Sequence, residues 1–344
     1  MRSTQITILL FLIPAALLSQ SLKEAQKLFS DQDYRGAARA FQQLAEAPSA
    51  DSALYDYLLK SLMYSSQGAE AVEWCTKVMN RTAPTAHWLQ MRGRAHYINC
   101  QVVLAIRDAN EARAQMGNDS LYYDLAYYYS HLDSHQQALE AAGKIDATSK
   151  YFFAALNIKG IAKTELGDKK GAKKDFKAAL SVCPSNADKA LLYCNLGRVD
   201  FRQQNNNTAI DYYSKAIKAD SHYVRAYISR GYIKQQTGFA NDAQADFQKA
   251  IALANTNCTT CGDYCEWLTY FYLGVAYGHL QDFEQSAIAF DKAIALRPCE
   301  GEIFYYRGWT KGLALGFVAS CSDWKKAAEL GNKDALQSLE LYCK

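Results

Sequence analysis

Small, aromatic and glycine positions recur along this chain at a fixed interval, with polar residues between them. Tyr193, Leu196, Gly197, Ala209, Tyr213 and Ala216 return as Tyr227, Arg230, Gly231, Ala243, Phe247 and Ala250, each 34 residues later. Tyr270, Gly274, Phe290 and Ala293 return in the same way as Phe304, Gly308, Trp324 and Ala327. A fixed period of this length predicts stacked helical hairpins, each too small to bury its own apolar face, rather than one globular core.

The residue types fit two antiparallel helices per period. Gly197, Gly231, Gly274 and Gly308 fall midway along the first helix, where glycine costs about 1 kcal/mol relative to alanine. That cost makes sense if the neighbouring helix comes too close for a side chain. Ala209, Ala216, Ala243, Ala250 and Ala293 are small positions on the second helix. Tyr213, Phe247, Phe290 and Trp324 lie three or four residues from those alanines, so they share a face and fill the space between helices. Gly167-Asp168 and Gly238 mark turns, where glycine ends a helix in the left-handed conformation. Pro184 and Pro298 stand just past a second helix that they cannot continue.

The order aromatic, Leu-Gly, Ala, aromatic, Ala, often closing on Pro, resembles the tetratricopeptide repeat. The resemblance implies an all-α fold: an α-solenoid of about nine helical hairpins over residues 20–334, closed by a capping helix at 335–344. The units fall near 18–51, 52–85, 86–118, 119–152, 153–186, 190–223, 224–257, 267–300 and 301–334, with a Cys-rich insert at 258–266. From residue 153 onward the pattern is strong, and Lys159-Gly160, Ala172, Phe176, Ala179 and Pro184 make that unit nearly as good as its successors. Before it the units are degenerate, marked by Tyr34, Ala37 and Phe41, then Tyr55 and Ala71, then Arg92-Gly93, Ala105 and Ala112, then Leu125-Ala126, Tyr129 and Ala138. Ala335, Leu336, Leu339, Tyr342 and Cys343 form the apolar face expected of the cap. The run Cys321, Trp324, Ala327, Leu330-Gly331, ending in Tyr342-Cys343, is similar to secreted proteins of this family from Bacteroidetes.

Residues 1–19 read as a signal peptide: Arg2 is a short positive region, and Ile6 to Leu18 is almost wholly apolar but too short to span a bilayer. Cleavage before Gln20, or around Ser21, makes the protein exported, periplasmic or secreted. A net charge of +3 with no basic run gives no pointer to nucleic acid. Most of the 24 tyrosines fall at repeat core positions.

Ten cysteines in an exported chain point to disulfides. In the hairpin arrangement that the resemblance implies, Cys265 and Cys299 sit at the same end of one unit, beside Cys258 and Cys261, so these four cluster. Two disulfides, or structural zinc on four thiolates, are the alternatives. Cys321 and Cys343 are expected to meet where the cap packs back on the last hairpin. Cys183 and Cys194 are expected to pair across a joint between units. Cys75 occupies a large core position, where a buried thiol competes with a disulfide to Cys100.

No catalytic cluster, phosphate loop or cofactor site stands out, and His131 and His135 flank a turn. What remains is a surface. In the family the first helices line the inner wall of a superhelix, and the positions there that the repeat core does not need include Arg94, Tyr97, Tyr123, Tyr127, Arg198, Phe201, Tyr232, Phe271, Tyr305 and Trp309. Aromatics and arginines of this kind anchor recognition; packing against neighbouring units is the competing reading. A lysine–asparagine carboxylate clamp, known in some family members, is not supported: Asn157 stands alone, with Cys194 and Ile228 at the matching sites. The expected function is a non-catalytic exported scaffold binding a protein or peptide partner. The alternative is an envelope protein binding glycan or peptidoglycan, and arginines beside the aromatics favour acidic peptide over sugar. Intact-mass analysis of protein from the native envelope should show a chain starting near Gln20 or Leu22; retention of Met1 would contradict the signal reading.

Overall fold

The computed structural model describes residues 15–47, 50–257 and 263–343, and within them it contains helices and turns but no strand. The chain divides into two compact units, Met1–Gln115 and Met116–Lys344. The division falls at the loop of Met116, which is 62% exposed and contributes no core. The first unit holds three hairpins: α1 (Ala15–Ser30) with α2 (Tyr34–Ala45), α3 (Ser52–Tyr64) with α4 (Gly68–Thr82), and α5 (Ala86–Ile98) with α6 (Val102–Gln115). The second holds six: α7 (Asp119–His131) with α8 (His135–Gly143), α9 (Phe152–Glu165) with α10 (Lys169–Val182), α11 (Asn186–Phe201) with α12 (Asn206–Ala219), α13 (Val224–Gln236) with α14 (Ala240–Asn257), α15 (Asp263–His279) with α16 (Phe283–Leu296), and α17 (Gly301–Leu315) with α18 (Cys321–Glu329). Helix α19 (Lys333–Tyr342) packs on α18. Residues 1–14 of the expected signal peptide lie outside the described residues, and α1 runs from Ala15 through the expected cleavage site, burying Ala25.

The 34-residue period is written into the backbone of the turns. Gln32, Ser66, Cys100, Asp133, Gly167, Gln204, Gly238 and Gln281 all have positive φ, one in the turn of each of the first eight hairpins. Only Gly167 and Gly238 adopt it free of a Cβ penalty; a non-glycine residue there costs about 1–2 kcal/mol. The turn geometry is therefore imposed by the packing of the two helices, and the degenerate N-terminal units keep it without the glycine that would announce it.

The second unit is organised around one contact, repeated. A Cβ built on Gly160 would lie 2.5 Å from the ring of Phe176, one on Gly197 2.9 Å from Tyr213, and one on Gly231 3.0 Å from Phe247. Gly274 stands in the same relation to Phe290 at 2.7 Å, and Gly308 to Trp324 at 2.6 Å. In every case the ring belongs to the residue 16 positions after the glycine. Phe176, Phe247, Phe290 and Trp324 are essentially fully buried by this arrangement.

A second element of the hairpin escapes the hydrophobic pattern. The residue before the glycine is basic in four hairpins, and in three of them it is an arginine that grips an aspartate, again 16 residues on. Arg92 donates twice to Asp108 at 2.6 and 2.9 Å, Arg230 twice to Asp246 at 2.9 and 2.7 Å, and Arg307 twice to Asp323 at 3.0 and 2.6 Å. In the hairpin of Lys159, the aspartate is held instead by Lys163, 12 residues before it, with Lys163–Asp175 at 2.7 Å. These aspartates are buried, so removing either partner strands a charge, at a typical cost of about 3–5 kcal/mol.

At the C-terminus the cap closes on an aromatic cluster. Trp324 and Ala335 are fully buried with Phe304, while Trp309, Phe317, Leu339 and Cys343 pack around them. Leu336 is 53% exposed, so the inward face of α19 runs through Ala335, Ser338 and Leu339, rotated from the face the sequence indicated. Cys321 and Cys343 form a disulfide with Cα atoms 5.7 Å apart. Closing a loop of this length contributes about 3 kcal/mol in the chain-entropy model. The expected Cys183–Cys194 bridge is absent and both are free thiols. Cys194 is buried in the α11–α12 core with Ala190 and Tyr213, whereas Cys183 packs in the preceding core with Leu156 and Phe176, so the two thiols serve different hairpins. Cys75 is a free, buried thiol that burial pushes up to about 12. Cys258 and Cys261 of the expected cluster lie outside the described residues, as does the Cys265 side chain, so the cluster with Cys299 does too.

Gly160→Ala should lower stability by about 1–3 kcal/mol through overpacking against Phe176. Gly143, at the end of α8, has nothing within 4 Å of a built Cβ, and Gly143→Ala should be neutral or stabilise by up to about 1 kcal/mol. Paired thermal melts test this. Equal melting temperatures would show that the glycine–ring contact sets nothing.

Candidate partner-binding surface

Successive first helices touch one another in the second unit: α7 meets α9, α9 meets α11, and so on through α13 and α15 to α17. They form its inner wall. Residues at spacings of four and three share one face of such a helix. Arg225, Ser229 and Tyr232 make this stripe on α13, Glu302, Tyr306 and Trp309 on α17, and Asn195 and Arg198 continue it on α11. The unit also curls back on itself. Lys333, at the start of α19, pairs with Asp133 in the α7–α8 turn at 3.4 Å, and His131 feels the charges of Glu300 and Arg297. The inner wall is thus concave and enclosed, with its first and last turns in contact.

Enclosure shows in the electrostatics. Glu302 is exposed in surface area, yet protein surrounds it on the concave side of the wall. Burial raises its carboxyl above the usual range, with Arg225 and Arg198 pulling the other way. Burial and the like charge of Arg225 lower the Arg198 guanidinium to about 10, partly offset by Glu165. Burial raises the phenols of Tyr223 and Tyr213 to about 12, and those of Tyr272 and Tyr306 upward as well. These groups are all neighbours of Arg225, Arg198 or Glu302.

The residues singled out from sequence separate into five groups. Tyr97 on α5 and Phe271 on α15 are buried; Phe271 packs between Phe290 and Tyr306 at ring distances of 6.2 and 5.5 Å. They are core residues, a correction to their reading as surface anchors. Phe271 sits one residue from the stripe, at the place before Tyr272, and one residue is about 100° of helix rotation. Tyr305 and Trp309 belong to the C-terminal aromatic cluster, Trp309 against Phe317 at 5.3 Å, Trp324 at 5.5 Å and Tyr342 of the cap at 6.1 Å. Tyr123 and Tyr127 are half-buried on α7, stacked on each other at 6.1 Å, with Tyr151 and His131 alongside. Arg198, Phe201 and Tyr232 come together on α11 and α13, Phe201 edge-on to Tyr232 at 5.7 Å. Arg94 is half-buried on α5, in the first unit. Sequence reasoning missed Arg225, Tyr272, Glu302 and Tyr306. For Arg225, Glu302 and Tyr306 the signal available was the stripe itself, since these positions lie three or seven residues from ones already chosen; Tyr272 lies one residue from Phe271. Asn157, dismissed as solitary, accepts a hydrogen bond from Asn195 at 2.8 Å and ties α9 to α11.

His279 ends α15 beside this wall. Its ring stacks on Phe247 at 4.6 Å, and it lies 5.5 Å from Tyr232. Among the described residues no three potential metal ligands of the His, Cys, Asp and Glu type converge.

With this geometry in hand, three comparisons place the chain. The sequence model of the tetratricopeptide repeat matches residues 153–186, 190–223 and 269–298, so the chain carries these repeats. Human tetratricopeptide repeat protein 6 is 33% identical over 84 residues, which span 24% of this chain and 15% of that relative. Among solved structures, a Rap protein complexed with Competence and Sporulation Factor aligns with a TM-score of 0.59 at 13% identity, covering 94% of this chain and all of that one. The apo quorum sensor NprR of B. thuringiensis aligns with a TM-score of 0.55 at 16% identity, covering 91% and 98%. At such identities the likeness is one of fold: an α-solenoid of tetratricopeptide type.

Burial lowers His279 to about 4, so the native state holds it neutral while the unfolded chain takes up a proton near the usual value of about 6.5. Its contribution is complete above pH ~6.5 and is lost as pH falls toward ~4. Melting temperature should drop across that window, and His279→Gln should flatten the drop. An unchanged pH profile in the variant would show that His279 is not held neutral.

Proposed function

We propose that this protein is a non-catalytic, exported scaffold that binds a protein or peptide along the first helices of its second unit. One observation carries the reading. The stripe on α11 and α13 carries Arg198, Arg225 and Tyr232 on the enclosed wall, away from the glycine–ring contacts that hold each hairpin. A wall of rings and guanidiniums offers large apolar contact with directional donors, which is how recognition anchors work. The Rap protein of similar fold was solved in complex with a factor, which supports the same use of the fold here. The apolar N-terminus and the Cys321–Cys343 disulfide support export into an oxidising compartment.

The test uses the full chain and a pool of randomised hexapeptides in equilibrium dialysis. The wild type should retain a subset, identified by mass spectrometry. Tyr127→Ala/Tyr232→Ala should bind the recovered peptides about thirtyfold more weakly, the effect of losing about 2 kcal/mol. Helix content and melting temperature should stay near wild type. A variant that binds normally places recognition elsewhere; one that melts early makes these rings core.

A further inference from the structure

Charges gather on the inner wall. Arg198 lies among Arg202, Arg225, Glu165 and Glu302, with Glu300 and Asp334 beyond Glu302. Glu165 is engaged by Arg202 at 2.6 Å and reaches Arg198 only at 3.7 Å. The Nε of Arg198 is buried and has no hydrogen-bond partner. Arg225 hydrogen-bonds the phenol of Tyr223, lies near that of Tyr272, and feels the charge of Glu302. A buried guanidinium donor without an acceptor is costly, and a second guanidinium near it adds repulsion.

From this we infer that the concave wall of the second unit holds a carboxylate of its peptide ligand between Arg198 and Arg225. The inference rests on reading the wall as a peptide site. A carboxylate suits the vacancy because guanidiniums present parallel N–H donors that match its two oxygens, and the enclosed wall strengthens such pairs relative to open water. The phenols of Tyr223 and Tyr272 near Arg225, and of Tyr306 near Glu302, stay protonated and are available as donors. The carboxylate comes from an Asp or Glu side chain or from the peptide's own C-terminus. Glu302, across the wall on α17, is a resident competitor for the same arginines.

The experiment uses the full chain with two pools of randomised, N-acetylated hexapeptides, one with free and one with amidated C-termini. Acidic peptides should be retained at least about tenfold over neutral ones from the amidated pool if a side chain supplies the carboxylate. If the terminus supplies it, free peptides should be retained over amidated ones by a similar factor. Affinity for the recovered peptide should fall about thirtyfold or more in Arg225→Gln, with partial rescue in Arg225→Lys, and should rise in Glu302→Gln. The melting temperature of Arg225→Gln should stay level or rise, since removing one guanidinium relieves the other. Retention of hexapeptides with no preference for acidic side chains or free termini overturns the arginine site while leaving the peptide reading intact. Retention of no hexapeptide overturns both. Early melting of Arg225→Gln, or weaker binding in Glu302→Gln, assigns the arginine to the fold and overturns the inference.

Discussion

A side chain cannot occupy the centre of the first helix in these hairpins, because an aromatic ring from the second helix already does. At Gly160 the missing Cβ would sit 2.5 Å from Phe176, well inside contact distance. That single exclusion fixes how closely the two helices approach and which way the second helix is rotated. Everything else in the hairpin answers to it. The alanines of the second helix follow from the close approach, and the left-handed turn residue follows from the short connection that such close helices require. The energy lost by placing glycine in a helix, about 1 kcal/mol, is set against burial of a whole ring, worth about 1.5–3 kcal/mol or more.

The bidentate pairs Arg92–Asp108, Arg230–Asp246 and Arg307–Asp323 share the same 16-residue offset as the glycine–ring contact, one residue earlier at each end. Buried ion pairs add little net stability when formed but cost heavily when broken. Their physical value here is selective. A hairpin that slipped by one residue would separate every arginine from its aspartate and drive a Cβ into every ring. Apolar packing supplies the cohesion, and these pairs penalise the wrong register.

The hairpins of the second unit are legible because their chemistry is local. Gly197 with Tyr213, or Gly231 with Phe247, is a short-range signal that repeats. The N-terminal hairpins were harder to see because Gln32, Ser66 and Cys100 adopt the turn geometry that glycine announces elsewhere. The inner wall was read less well than the fold. Phe271 and Tyr97 are aromatic and on first helices, but they point into cores. The choice between wall and core is a matter of about 100° per residue, finer than the repeat boundaries can resolve for degenerate units. Arg225 and Glu302 were missed for a different reason: their importance lies in each other and in Arg198, residues brought near only by the curl of four successive hairpins.

That curl has a consequence for how the array can evolve. An open row of repeats tolerates gain or loss of a unit, because each interacts only with its neighbours. Here Lys333 meets Asp133 across the mouth of the second unit. Duplicating or deleting one hairpin between α7 and α19 would carry those ends past each other by the width of a repeat. The number of units in this half of the chain is therefore a geometric quantity under constraint, like the number of staves in a barrel, and homologues that keep the closure should keep the count while varying the sequence within it.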